Sequence, residues 1–548
     1  MSSRAVVAPA PSTSIPGDSD CRVDSTVGVV LAEADKASVL HIWSLGVLTV
    51  IGGQLYGWNA ALATGFVPFL VSQVLMGIAF VTYLACASEV CGKIQFSGGA
   101  YGLSRVTLGF YSGFLVGFLE LLEYISYTSV SVVFLGDFLT TTLRWDASWQ
   151  PAIWFVYYAG TSAILQLRGK VLWSFNVFVA VASVLPPLLY CVVAVGHTDL
   201  ATYGRLQLEN NSSVWAKGTL STAYFSWLPY TTWAYAGIEC LSLVSGLAKD
   251  AQTTMPRGMM AAVYTLFGIN LALVCIVSAL PPGINETAQA PFPLNAGFAL
   301  GLHMSDAVAN WMIVPGQFGM AFGFMLPCTH LAQALADSNL LPGCLGLKAQ
   351  ATHLRATLLV SVSGFIICLL CHLSPEFDSS LQNISILSAV FCYGAQIGGF
   401  VMLRTKYRTE TTGYVSPFGM AGAYYAWGVF ALLAISIIGG FQDDNGVAIG
   451  SLVVFIALLS AYYHVVCKKI QTISKEEYAS IFRFSVMKFN ASRRKIKKTT
   501  QGQAKPSSNQ ASKLESHGGQ RGRGKVESMR KINVYASGNE AALSGNLT

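Results

Sequence analysis

Three glutamates lie inside apolar stretches of the chain, where an acidic side chain is costly and therefore usually has a function. Glu120 and Glu123 are three residues apart in the run FLELLEYI, so a helix would place both on one face. Glu239 lies in a second apolar run, WAYAGIECL. Such acids could bind a substrate ammonium group or relay a proton, and each could instead be a hydrogen-bonded structural acid.

No arrangement of residues typical of an enzyme accompanies these acids. The chain has no Walker-type phosphate loop, which argues against direct driving by ATP. It also has no Cys/His cluster with zinc-like spacing. We therefore predict that the protein is not an enzyme and has no bound cofactor or metal ion.

The composition predicts an all-α polytopic membrane protein. Hydrophobic residues make up 53% of the 548 residues and charged residues 11%, which is less than half the charged fraction usual in soluble domains. A membrane helix needs about 20 apolar residues. Twelve segments, numbered here as spans 1 to 12, meet this requirement: 40–64, 66–90, 109–139, 150–167, 171–196, 221–247, 258–280, 306–336, 354–374, 383–403, 421–440 and 448–467.

The loop charges predict the orientation of these spans. With a cytoplasmic N-terminus, the inside loops hold eleven Lys/Arg residues and the outside loops three, a positive-inside bias. Asparagine sequons at Asn210, Asn211 and Asn285 also lie in loops that this topology places outside, as does a fourth at Asn383. We therefore predict cytoplasmic termini, glycosylation at Asn210, Asn211 and Asn285, and residence in the plasma membrane. Asn383 is expected to lie too near a helix to be modified.

The charge distribution divides the chain into three parts. Residues 1–38 are small and polar and are predicted to be a disordered cytoplasmic N-terminus, followed by a transporter domain at 39–467. The tail at 468–548 holds 17 of the 34 Lys/Arg residues and is predicted to be mostly disordered. Within it, 475–490 could form an interfacial helix, and the basic run at 493–498 is typical of an anchor on anionic lipid. No nucleic-acid partner is predicted, and the sequence does not indicate an oligomeric state.

Glycines interrupt span 1 near its middle, and a proline, a glycine and an acid interrupt span 6. Irregular backbone at membrane depth is tolerated only where it lines a cavity or is buried in protein. Interrupted helices in corresponding positions are typical of a transporter binding site, although glycines can also serve close helix packing. Breaks in the first and sixth spans fit two five-helix repeats of inverted topology, with two further helices appended.

The chain resembles the amino acid–polyamine–organocation superfamily. The resemblance rests on the twelve spans, the glycine break, WAYAGIE in span 6, and FSGGAYGLSRVTLGFYSGFLVG between spans 2 and 3. Within the superfamily, GGQLYGWNAALATG and ELLEYI look most like the ethanolamine permease and amino acid permease branch. The resemblance covers about residues 40–467. It implies uptake by alternating access, with a cation or proton gradient as the driving force.

The resemblance also implies a set of substrate-binding residues at the two breaks. Aromatic side chains there, for which Tyr56, Trp58 and Tyr235 are the candidates, could hold an ammonium group through cation–π contact. The full set comprises Gly52, Gly53, Gln54, Tyr56, Gly57, Trp58, Ala234, Tyr235, Ala236 and Gly237. Polar residues inside the membrane, candidates for coupling, are Glu120, Glu123, Ser183 and Glu239.

One departure from the superfamily bears on energetics. Proton-coupled members often have a lysine midway along span 5, where this chain has NVFVAVASVLPPLLY and Ser183 near the corresponding place. A hydroxyl there could ligate sodium, so coupling to protons and coupling to sodium both stay open, as does exchange without coupling.

The leading hypothesis is a secondary transporter for a small amine-bearing solute such as ethanolamine or an amino acid. Gln54, Tyr56 and Trp58 are bulky for a carboxylate site, which favours a substrate without a carboxylate. The alternative from another class is a nutrient-sensing receptor that keeps a transporter fold and signals through its tail.

Overall fold

The fold is described by a computed structural model covering 35–93, 98–167, 169–342, 353–407, 413–442 and 446–473. Seven positions of the tail are also described: 477, 478, 482, 485, 486, 489 and 493. The predictions for 1–34 and for most of the tail, including the basic run after its first residue, Arg493, lie outside the described residues. Within the described residues, helices dominate and a single short β-hairpin is present.

The secondary structure follows the predicted spans in chain order. The α-helices are α1 (Val39–Ile51), α2 (Phe66–Lys93), α3 (Gly99–Thr107), α4 (Phe110–Leu143), α5 (Gln150–Leu165), α6 (Lys170–Ala194), α7 (Leu200–Tyr203), α8 (Leu228–Thr232), α9 (Ala251–Val277), α10 (Ile284–Thr287), α11 (Asn295–Leu302), α12 (Asp306–Ala309), α13 (Val314–Asp337), α14 (His353–Leu373), α15 (Pro375–Met402), α16 (Gly419–Ile438), α17 (Val447–Tyr462) and α18 (Lys468–Ile470). Short 3-10 helices are Gly52–Gln54, Asn59–Thr64, Ala147–Trp149, Val195–His197, Ile238–Leu247 and Asn310–Ile313, and π turns are Ser221–Phe225, Leu403–Tyr407 and Tyr463–Cys467. Strands β1 (Leu206–Gln207) and β2 (Ser213–Val214) pair antiparallel.

Nine helical segments of the described chain are long and apolar enough to cross a membrane. They are Phe66–Lys93, Phe110–Leu143, Lys170–His197, Ala251–Val277, Asp306–Asp337, His353–Leu373, Pro375–Lys406, Gly419–Ile438 and Val447–Ile470. The other predicted spans correspond to shorter pieces: span 1 to α1 and two 3-10 helices, span 4 to α5, and span 6 to three short segments. The all-α polytopic membrane fold is thereby confirmed.

Burial separates central helices from peripheral ones. The most apolar window of α4 and that of span 8 are each 78% buried, whereas that of the last span is 17% buried. Helix α4 packs against α13, α15 and α3, and α1 packs against α9, α6 and α13. Two glutamates and a run of hydroxyls of α4 are therefore inside the bundle, while the outer helices turn apolar side chains toward lipid.

Two helix starts differ from their predicted positions because capping side chains act earlier in the chain. Span 10 begins at Pro375 rather than 383, since Ser374 accepts a hydrogen bond from the backbone N–H of Phe377 and proline fits the first helical position. Asn383, predicted in an outside loop, is instead buried inside α15, and that placement was wrong. Span 7 likewise begins at Ala251, capped by Asp250.

Charged side chains close the membrane face at which α1 begins, called here the N-terminal face. The buried carboxylate of Glu89 pairs with Arg404 and Lys93 and accepts the backbone N–H of Ser416 at 2.8 Å. These contacts tie α2 to the end of α15 and to the chain before α16. Ala37, just before α1, pairs with the backbone of Leu247 and Lys249.

The interruptions of spans 1 and 6 meet inside the bundle. A side chain at Gly53 would have its Cβ inside the space that the carbonyl oxygen of Trp233 occupies. The two backbones can approach this closely only because residue 53 is glycine.

We expect Gly53→Ala to lower the thermal stability of the purified protein, because the added methyl group overlaps a backbone carbonyl. Overpacking of this kind costs about 1–3 kcal/mol. Gly268→Ala in α9 is the matched control, since its Cβ would meet open space. Melting curves in detergent measure both, and a Gly53→Ala protein as stable as the Gly268→Ala protein would contradict the close approach.

Candidate binding cavity between the broken helices

Span 1 loses its helical form between Gln54 and Asn59. Helix α1 ends at Ile51, a 3-10 turn follows over Gly52–Gln54, and the chain resumes as a 3-10 helix at Asn59. Gly57, inside the break, has φ of +79°, a left-handed conformation that favours glycine. The run of glycines therefore allows the predicted interruption.

Span 6 is interrupted between α8 and the 3-10 helix Ile238–Leu247. Gly237 has φ of +100°, and the ring of Phe324 from α13 lies where its side chain would be. The backbone N–H of Gly237 donates to both carboxylate oxygens of Glu239 at 3.0 Å. The acid thus satisfies a backbone group that the break would otherwise leave unpaired.

A cavity of about 210 Å³ lies between the two breaks. Its lining comes from spans 1, 3, 6, 8 and 10 and consists of Gly52, Gly53, Tyr56, Gly57, Trp58, Val130, Ser131, Phe134, Tyr230, Trp233, Gln317, Met320 and Gln382. Gly52, Gly53 and Met320 are buried, whereas Gly57 is exposed at the end of the break away from the N-terminal face. The cavity is therefore reached from the opposite face of the membrane.

Five of the span 1 candidates line this cavity, and Gln54 does not. Its amide donates to the carbonyl oxygens of Ala234 at 2.8 Å and Leu266 at 3.1 Å. The side chain therefore points toward spans 6 and 7 and joins the two breaks. Gln54, which was predicted to bind substrate, therefore does not occupy the cavity.

The four-residue candidate set in span 6 lies beside the cavity rather than in its lining. Ala234, Tyr235, Ala236 and Gly237 are buried. The Tyr235 hydroxyl accepts a hydrogen bond from Asn270 at 2.8 Å, and its ring stacks on Phe80 with centroids 5.7 Å apart. Their roles in substrate binding stay predictions.

Tyr230 and Trp233 line the cavity from span 6, and the sequence analysis missed both. Both precede the WAYAGIE glycine, on the side of the break toward the opposite face. Uninterrupted helices supply further lining that was also missed: Val130, Ser131, Phe134, Gln317, Met320 and Gln382. Amide side chains at membrane depth, such as Gln317, were the one signal in the sequence that could have indicated part of this set.

The lining combines aromatic rings with neutral polar groups, and none of its residues carries a charged side chain. Tyr56 packs edge-on against Phe134 and beside Phe292, each with centroids 5.6 Å apart. Trp58 stacks on Phe69 with centroids 5.6 Å apart. A ligand in this cavity would meet ring faces, hydroxyls, amides and the backbone of the breaks.

Glu123 and Glu239 form a buried pair on the N-terminal side of the cavity. Both are completely buried, and Glu239 accepts from the Tyr393 hydroxyl at 3.2 Å. Among the described residues no backbone N–H donates to Glu123, which faces the Glu239 carboxylate and the thiol of Cys392. Glu123 precedes the cavity residue Ser131 by eight positions, about 12 Å along a helix axis.

Two tyrosines connect this acidic pair to the cavity. The Tyr127 ring packs edge-on against Trp233 with centroids 4.9 Å apart. Its hydroxyl faces that of Tyr393, which donates to Glu239. A series of side-chain contacts therefore leads from the cavity-lining Trp233 through Tyr127 and Tyr393 to Glu239.

Glu120 and Ser183, two other candidates for coupling, have local structural partners. Glu120 is fully buried and accepts the backbone N–H groups of Ala100 at 3.2 Å and Tyr101 at 3.0 Å. It therefore caps α3, where a negative charge is favourable. Ser183 donates to the Val179 carbonyl at 2.7 Å within α6.

The predicted glycosylation sites lie on the face opposite to the N-terminal face. Asn210 and Asn211 are exposed at the turn between β1 and β2. Asn285 is partly buried, and its amide exchanges two hydrogen bonds with the backbone of Gln207 at 2.8 and 2.9 Å. This asparagine therefore also fixes the hairpin to α10.

Comparisons with known proteins agree with this architecture. Residues 39–465 match the family model described as amino acid permease. A methylthioribose transporter of Bacillus subtilis is 24% identical over 403 residues, covering 70% of this chain and 79% of the relative. A branched-chain amino acid permease of Lactococcus lactis is 24% identical over 337 residues, covering 57% of this chain and 70% of the relative.

The family match covers the helices that form both breaks and the cavity, and the relatives are transporters and permeases by name. The long apolar helices make the protein an integral, multi-pass membrane protein. The chain therefore belongs to the amino acid permease family of membrane transporters.

Proposed function

We propose that the protein is a secondary transporter that moves a small amine-bearing solute, such as ethanolamine or an amino acid, by alternating access. The observation that carries this proposal is the cavity between the two broken helices, lined by aromatic rings and free of charged side chains. The proposal includes no enzymatic step. The substrate is a small molecule, and the protein works within the lipid bilayer.

An ammonium group suits this cavity for two physical reasons. Ring faces of Trp and Tyr attract cations by about 0.5–2 kcal/mol each, and more strongly when water is excluded. Carbonyl oxygens freed at a helix break also attract positive charge. Trp233, Tyr230 and Tyr56 are the rings that would receive the amine.

The position of Gln54 bears on whether the substrate keeps a carboxylate. Its amide is directed at Ala234 and Leu266, so it does not crowd the glycines of span 1. Backbone amides at such a break can bind a carboxylate. Amino acids therefore stand beside ethanolamine as candidate substrates, as the branched-chain permease relative also suggests.

The substrate class is tested by uptake into proteoliposomes of radiolabelled ethanolamine, alanine, leucine and methylthioribose. We expect transport of at least one of the first three. Transport of methylthioribose alone, which has no amino group, would contradict the amine proposal. Substrate binding without transport or exchange would favour the alternative, a transporter-like receptor that signals through its tail.

We expect Trp233→Leu to raise KM for the transported amine about 3- to 30-fold, because one cation–π contact is lost. Trp233→Phe is the matched control, since it keeps an aromatic face and should raise KM less. Initial uptake rates over a concentration series measure both. Equal KM values for the two variants would show that the ring face does not bind the substrate.

We propose that the Glu123–Glu239 pair couples transport to protons. Two carboxyl groups facing each other in a low-dielectric interior cannot both be charged, so the pair holds a proton between them. The path through Tyr393 and Tyr127 leads from this pair toward Trp233 in the cavity. Movement of the half of span 6 that carries Glu239 relative to α4 would change the spacing of the two acids and thereby their affinity for the proton.

We expect Glu123→Gln and Glu239→Gln to reduce accumulation driven by a pH gradient at least tenfold while exchange of labelled for unlabelled substrate continues. Glutamine keeps the shape but cannot release a proton. Glu376→Gln, at an exposed site in the first turn of α15, is the control.

The measurement is uptake with sodium, pH and membrane potential varied separately. Accumulation that follows a sodium gradient and survives both glutamine substitutions would contradict proton coupling. In that case Ser183→Ala would be the variant that tests for a sodium ligand.

We propose that the N-terminal face is cytoplasmic and that the protein resides in the plasma membrane. The loop charges support this orientation, as does the placement of Asn210, Asn211 and Asn285 on the opposite face. Treatment with a glycosidase should shift the mass of the natural protein, and the shift should shrink when all three asparagines are replaced by glutamine. An unchanged shift in that triple variant would contradict the assignment.

A further inference from the structure

The N-terminal face contains a buried site occupied by a side chain from the chain's own tail. The guanidinium Nη1 of Arg105 lies 2.9 Å from Oε1 of Glu477, and these side chains are 2% and 3% exposed. The Tyr101 hydroxyl also lies 2.6 Å from Oε1, and the Ser338 hydroxyl lies 3.0 Å from Oε2. Burial raises the pKa of Tyr101, so its hydroxyl stays protonated and can donate.

The tail reaches this site along the end of α13. After α18 ends at Ile470, the backbone N–H of Thr472 donates to the Ser338 carbonyl at 3.0 Å. The carbonyl of Thr472 accepts from Nη2 of Arg105 at 3.0 Å, and its hydroxyl accepts from Asn339 at 3.0 Å. The segment is therefore fixed before it places Glu477 in the site.

The arrangement selects one side chain of the tail. Tyr478, the next residue, is 65% exposed, whereas Glu477 is almost completely enclosed. A buried carboxylate is costly unless it is paired, and removing one partner of a buried ion pair leaves the other charge without compensation. Arg105, Tyr101 and Ser338 therefore form a site built for a carboxylate.

The helix that carries Arg105 and Tyr101 covers the inner half of span 6. Helix α3 packs against the 3-10 helix Ile238–Leu247. The contact is so close that a Cβ at Gly99 would meet Leu243 at 2.7 Å. Glu120, which caps α3, lies at the same point, because its Oε1 is also 2.7 Å from that Cβ position. Opening of the N-terminal face requires α3 and this half of span 6 to separate or to move together.

We propose that Arg105, Tyr101 and Ser338 form a carboxylate-binding site whose ligand is Glu477, and that its occupation holds the N-terminal face closed. The tail then acts as a latch that joins α3, the end of α13 and the chain after the last span. The proposal goes beyond the transport function, because it concerns the opening of one face whatever the substrate is.

Hydrogen–deuterium exchange of the full-length protein in lipid nanodiscs tests the latch without any substrate. In Glu477→Gln, amides of Gly99–Thr107 and Ile238–Leu247 should exchange at least tenfold faster than in the natural protein. Amides of the remote helix Gln150–Leu165 should not change. Tyr478→Phe, next in the chain and exposed, is the matched control and should exchange like the natural protein.

A second variant keeps the proposal testable if Glu477→Gln gives little folded protein. Arg105→Gln removes the other partner and should accelerate exchange in the same two segments. The double variant should exchange no faster than the faster single variant, because both substitutions break one interaction. Unchanged exchange in α3, additive effects in the double variant, or equal acceleration in Gln150–Leu165 would each overturn the latch.

Discussion

The architecture depends on one constraint: a backbone group at membrane depth must find its hydrogen-bond partner within the protein. The breaks in spans 1 and 6 leave backbone groups without their helical hydrogen bonds, and polar side chains supply the missing partners. Gln54 donates to the carbonyl of Ala234, and Gln317 donates to that of Gly52 at 3.0 Å. Glu239 accepts the N–H of Gly237. Each of these hydrogen bonds joins different spans or the two sides of a break. The two breaks therefore stabilise each other where they are in contact.

The same constraint explains why the acids and the cavity are separate. Glu239 and Glu120 satisfy backbone N–H groups at a break and at the start of α3, so their positions are set by the backbone. Glu123 has no such donor among the described residues and faces Glu239. The acids consequently lie on the N-terminal side of the cavity, whose walls are aromatic and neutral. In the proposed mechanism, substrate and proton occupy neighbouring sites connected through tyrosines.

The two faces of the protein are held by different means. The N-terminal face is closed by buried charges, with Glu89 bound to Arg404 and Glu477 bound to Arg105. The opposite face carries the hairpin and the exposed Gly57, where the cavity is reached. Ion pairs can separate and form again as units, whereas apolar packing must be remade over many contacts. Opening of the N-terminal face would therefore require these buried ion pairs to separate.

The sequence by itself determined the membrane fold, the chain order of its helical segments and the two breaks, because hydrophobic length and glycine placement are local properties. It also indicated that Glu123 and Glu239 are acids within the membrane spans, since acids in apolar runs are conspicuous. Only the tertiary structure decided which side chains face the cavity: Gln54 points away from it, whereas Trp233 lines it. It alone brought Glu477 to Arg105, because rotation about a helix axis and contacts between distant segments arise from packing, which no local pattern encodes.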